Sequence, residues 1–96
     1  MRTIWKFPLT LGSNNHIFEI EMPKGSRILS VGVDPEYPTD PRQVRIWAEV
    51  SPKIEVKETH RLVVFGTGDV LGNVVFRQFI GTVVINPYAW HVYELA

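Results

Sequence analysis

Gln43-Val44-Arg45-Ile46-Trp47-Ala48-Glu49-Val50 alternates strictly: Val44, Ile46, Ala48 and Val50 fall on one side, Arg45, Trp47 and Glu49 on the other. A period of two is the signature of a strand with one face on a core and one towards water. The same pattern extends outward in both directions. Towards the N-terminus, Arg27 to Val33 reads as a second strand, and Asp34-Pro35-Glu36-Tyr37-Pro38-Thr39-Asp40-Pro41 between them is too proline-rich for regular structure. The two strands are therefore expected to pair across that loop. Earlier still, Phe18, Ile20 and Met22 oppose Glu19 and Glu21 within His16 to Met22, and Pro23-Lys24-Gly25-Ser26 reads as a turn. Arg2 to Pro8 sets Trp5 and Phe7 against Ile4 and Lys6.

Towards the C-terminus, Ser51-Pro52 breaks the run, and Lys53 to Thr59 alternates only through Ile54 and Val56, as an edge strand or an extended connection would. His60 to Phe65 is a β-branched run that stops at Gly66-Thr67-Gly68-Asp69. Phe76 to Ile85 is a strand in which Gly81 marks a bulge or a close backbone approach. Asn86-Pro87-Tyr88 makes a last turn, and Ala89 to Leu95 closes the chain. Apolar residues at helical spacing never persist, and at most one helical turn is expected near Asp69 to Asn73. The expectation is a single all-β domain over residues 1–96, an antiparallel sandwich or partly open barrel of roughly six to eight short strands.

Composition narrows the function. The chain has 96 residues, 45% hydrophobic and 21% charged, with Lys plus Arg and Asp plus Glu balanced at 10 each. Balanced charge argues against a sequence-blind grip on nucleic acid or an anionic membrane, which needs a basic excess. No cysteine is present, which rules out disulfides, thiol nucleophiles and cysteine-ligated zinc and leans towards a cytoplasmic setting. Neither a signal-peptide pattern at the start nor a stretch long enough to span a bilayer is found.

Motifs for catalysis are missing as well. Gly66, Gly68 and Gly72 nearly spell a dinucleotide fingerprint, but the third Gly falls one place late and no helix follows to present N–H groups to a phosphate. A tight turn is the simpler reading; a lip over a ligand pocket, with Thr67 and Asp69 offering hydrogen bonds, is the functional one. His16, His60 and His91 lack ligand spacing and read as surface or partly buried residues at strand ends. Ser13, Ser26, Ser30 and Ser51 sit in no nucleophile elbow. No catalytic residue, metal site or cofactor is expected, and the protein reads as a non-enzyme.

What remains is binding. Arg45 and Trp47 share the outward face of the central strand, where a cation and an aromatic can stack a planar group and pair a phosphate. Arg61 and Arg77 join them if their strands neighbour that one. In this reading Arg45 and Trp47 grip a nucleotide-like small molecule and the turn Gly66, Thr67, Gly68 and Asp69 closes over it. Three Trp, three Tyr and five Phe exceed the needs of one small core, so some must lie at the surface, and a homo-oligomer is expected.

The order of segments resembles a family of short phage- and prophage-encoded domains of unknown function. The resemblance rests on Thr3-Ile4-Trp5-Lys6-Phe7-Pro8-Leu9, Ile20-Glu21-Met22-Pro23-Lys24-Gly25-Ser26-Arg27-Ile28-Leu29-Ser30-Val31, Arg45-Ile46-Trp47-Ala48, Phe65-Gly66-Thr67-Gly68, Phe79-Ile80-Gly81-Thr82 and Trp90-His91-Val92-Tyr93-Glu94. It covers nearly the whole chain. The sequence departs from the pattern in its Asp34 to Pro41 loop, and in having Asp69-Val70-Leu71 where such proteins often carry a proline. The resemblance implies a phage origin and the cytoplasm of a host bacterium, and it brings no catalytic residues. Small phage accessory proteins of this kind act by binding, either sequestering a nucleotide messenger of host defence or inhibiting or adapting a host or phage protein. A minor virion component is the remaining alternative.

Overall fold

A computed structural model describes residues 1–11, 16–40 and 42–96; Ser13 and Pro41 lie outside the described residues. Seven strands follow in order: β1 (Thr3–Leu9), β2 (Ile17–Pro23), β3 (Arg27–Val33), β4 (Val44–Val50), β5 (Lys57–Gly66), β6 (Phe76–Ile85) and β7 (Tyr88–Leu95). They form two antiparallel sheets, β1-β4-β3 and β2-β5-β7-β6. The fold is a small β-sandwich with no helix among the described residues. Among the described residues no helix is long and apolar enough to cross a membrane.

The central strand behaves as its alternation requires. Val44, Ile46, Ala48 and Val50 are buried, while Arg45, Trp47 and Glu49 face outward and stay partly exposed. Leu62, Val64, Val83 and Val92 meet them from the second sheet, with Leu9, Met22 and Ile28 completing the core. β3 and β4 pair across the proline-rich loop. That loop is folded by successive turn bonds, Tyr37 N–H to Asp34 O at 2.9 Å and Asp40 N–H to Tyr37 O at 3.0 Å.

Three expectations meet the structure differently, and the last is met in full. Lys53 to Val56 forms no strand; instead Lys57 to Gly66 is one continuous element, so the run ending at Phe65 begins earlier than its apolar residues suggest. Near Asp69 to Asn73, where at most one helical turn is expected, no helix forms and Gly72-Asn73 is a turn. Gly81 does both things its position allows. The register shifts between Phe79 and Gly81, and a Cβ at Gly81 would meet Val31 Cγ1 at 3.0 Å, so the residue lets β6 approach β3 where the sheets meet.

Candidate functional site

The outward pair on β4 is largely engaged within the fold, although Arg45 also edges an open cleft of about 400 Å³ with Pro8, Asp40 and Arg42. Arg45 sends Nε to Asp34 Oδ2 (3.0 Å), Nη1 to the Val44 carbonyl (3.0 Å) and Nη2 to Gln43 Oε1 (3.1 Å), and its guanidinium lies 5.8 Å from the centre of the Tyr37 ring. Asp34 is fully buried, and it also accepts from Lys6 Nζ at 2.9 Å and the Glu36 N–H at 3.0 Å. Those bonds hold its carboxyl below the ordinary range, the Glu36 N–H contributing most, against an opposing effect of burial. Arg45 is therefore the counter-charge that permits a buried aspartate at the mouth of the loop. Trp47 lies over β3, where a Cβ on Gly32 would stand 3.5 Å from its Cζ3.

Arg61 and Arg77 do come together, but on the other sheet. They line a small pocket with Glu58, Thr59, His60, Glu94, Leu95 and Ala96, where β5 runs on past the end of β7. Beneath them lies a buried histidine–carboxylate cluster drawn from β5 and β7. His60 is buried, with Nδ1 2.7 Å from Glu94 Oε2 and Nε2 3.0 Å from Glu58 Oε1. Glu94 is buried too, and its second oxygen accepts from Gln78 Nε2 at 3.0 Å. Desolvation pushes the Glu58 carboxyl upward, but His60, the Gly25 N–H and the charge of Arg77 together hold it below the usual range. Both ring nitrogens of His60 face carboxylates, so both are engaged in hydrogen bonds within the protein. No group of three or more His, Asp or Glu suited to a metal occurs among the described residues. The signal was present: Glu58 and His60 are two apart on one face, and Glu94 is in phase with buried Val92.

The Gly-rich turn borders an open pocket of about 590 Å³, lined by His16, Gly66, Thr67, Asp69, Pro87, Tyr88, Ala89 and Trp90. That volume lies within the roughly 300–1,000 Å³ typical of small-molecule sites. Asp69 Oδ2 accepts from the Gly66 N–H at 2.7 Å, and Gly68 has a φ of 97°, the left-handed conformation glycine tolerates best. Gly66 serves differently: a Cβ there would stand 3.3 Å from Trp90 Cζ3, so its absence lets the indole lie against the turn. Trp90 and Tyr88 have ring centres 6.0 Å apart at 48° and furnish the aromatic wall. Thr67 Oγ1 is 2.8 Å from His91 Nε2, and His91 Nδ1 is 3.0 Å from Thr82 Oγ1, which fixes the rim.

The expected residues thus occupy three places. Arg45 and Trp47 are on the first sheet; Arg61 and Arg77 flank one end of the second; Gly66, Thr67 and Asp69 edge the other. Gly66 is five positions beyond Arg61 on β5, about 17 Å at the rise of an extended strand. A single grip using all of them is not built, because β5 and β6 neighbour β7 and not β4.

Fold and pocket define a small two-sheet β domain with a ligand-sized cleft. The chain belongs to the DUF7352 family, a domain of unknown function whose family model matches residues 1–96. Neither a curated protein nor a solved structure matches it.

Proposed function

We propose that this domain acts by binding, without catalysis, and that its ligand is a nucleotide-type small molecule whose base enters the pocket beside the Gly66 to Asp69 turn. The observation that carries this reading is the juxtaposition of two aromatic rings, Tyr88 and Trp90, with the Asp69 carboxylate in a cleft of about 590 Å³. A flat base stacks on such rings, and its N–H edge donates to a carboxylate. Among the described residues that line it, only His16 can carry positive charge, so phosphates would sit towards solvent. The resemblance to short phage-encoded domains supports a phage origin and a role in the host cytoplasm, removing a nucleotide messenger of host defence.

The test is titration with nucleosides, nucleoside monophosphates, cyclic dinucleotides and ADP-ribose, followed by calorimetry and tryptophan fluorescence. A member of this set is expected to raise the melting temperature and quench Trp90. Tyr88 is 63% exposed, so Tyr88→Ala leaves the fold intact and is expected to weaken binding about tenfold or more, since stacking on one ring contributes about 1–3 kcal/mol. Absence of a shift or quench with every compound at millimolar concentration would sink the proposal.

A further inference from the structure

The outer face of the second sheet carries an apolar row amid polar side chains such as Glu19 and Arg61. Ile17 pairs with Val63, Val63 with Tyr93 and Tyr93 with Phe79, so these four residues form one continuous row across β2, β5, β7 and β6. Tyr93 also stacks on Phe76 at 4.5 Å and meets Phe65 edge-on at 6.0 Å. The ends of the row are the open ones: Ile17 is 49% and Phe79 54% exposed.

We infer that this face is a two-fold interface with a second copy of the chain. A two-fold axis parallel to the strands, running between β5 and β7, lays β2 of one copy over β6 of the other. Phe79 of each copy then covers Ile17 of its partner, and Tyr93 covers Val63. Charge agrees with this placement. Glu19 lies opposite Arg61 within the sheet, both exposed, and the same operation brings Glu19 over the start of the partner's β6, where Arg77 sits in the bulge between Phe76 and Gln78. Among the described residues neither Arg61 nor Arg77 takes part in a salt bridge within one copy. A surface that carries its own complement at opposite edges fits a second copy better than an unrelated partner. Four strands about 4.8 Å apart and about 24 Å long give roughly 450 Å² per copy, close to 1,000 Å² in total with side-chain relief. That is the lower bound for a specific interface, and it predicts micromolar dimers.

Sedimentation velocity of the full chain between about 1 and 300 µM is expected to show the mass rising from 11.0 kDa towards twice that value. Phe79→Arg and Ile17→Asp, both at exposed positions, are each expected to weaken association at least tenfold with the melting temperature of the monomer unchanged. Combining the two is expected to restore it, because the two-fold operation places each new cation opposite a new anion. A chain that stays monomeric at 300 µM overturns the inference, as do dimers indifferent to Phe79→Arg or a double variant no better than the single ones.

Discussion

Asp34 shows how a single residue can be decisive and yet invisible in the sequence. It stands in a proline-rich loop and reads as a turn former, but it is fully buried between Lys6 and Arg45. Its charged partners come from β1 and β4, and nothing local announces those two. The consequence is a defined pH dependence. Asp34, Asp40 and Glu58 all have carboxyls held below their ordinary values of 3.8, 3.8 and 4.5. A carboxyl whose folded pKa is depressed stabilises the fold fully above its unfolded pKa, and that stability is lost as pH falls through the folded value. The melting temperature is therefore expected to be flat from pH 7 to about 5 and to fall below about 4. Asp34→Asn is expected to melt lower at pH 7 and to lose part of that acid dependence, leaving Lys6 and Arg45 without their shared anion. An unaltered acid limb in the variant would assign the dependence to other carboxylates.

Elements were legible where alternation was strong and obscure where it was not. β4 follows its pattern at every position, and the ends of β6 coincide with the strand read from Phe76 to Ile85. β5 was misjudged at its start, since Glu58 and His60 occupy inward positions that apolar residues usually fill. The packing of β6 against β3, which lies in the other sheet, was foreshadowed by Gly81 alone. Its fit is testable: Gly81→Ala places a methyl 3.0 Å from Val31 Cγ1, which is expected to cost about 1–3 kcal/mol as overpacking. Val31→Ala in the same chain should recover part of that loss, seen as a non-additive pair in denaturant melts. Strict additivity would mean that the two strands adjust independently.

In the whole molecule, the Glu58–His60–Glu94 network ties separate elements together. Glu58 accepts from the Gly25 N–H at 3.0 Å in the β2–β3 turn, and Gln78 links Glu94 to the Ile28 carbonyl at 3.4 Å across the two sheets. His60→Ala leaves a buried carboxylate without its donor and is expected to cost about 2–4 kcal/mol, a fall of roughly 10–20 °C for a domain of this size. Glu94→Gln keeps a hydrogen-bonding group there and should cost less; a loss below about 1 kcal/mol for His60→Ala would deny the network a clamping role. The sequence by itself determined the class, the strands and the inward face of most of them, because period-two burial is a local consequence of the pleat. It also marked the Gly66 to Asp69 turn as a possible lip. Only the tertiary structure decided the rest. It gave Arg45 to Asp34, separated Arg61 and Arg77 from the Gly-rich pocket, and brought Trp90 and Tyr88 to that pocket's wall. Strand order and sheet assignment are set by non-local pairing, and no local pattern records which strand becomes whose neighbour.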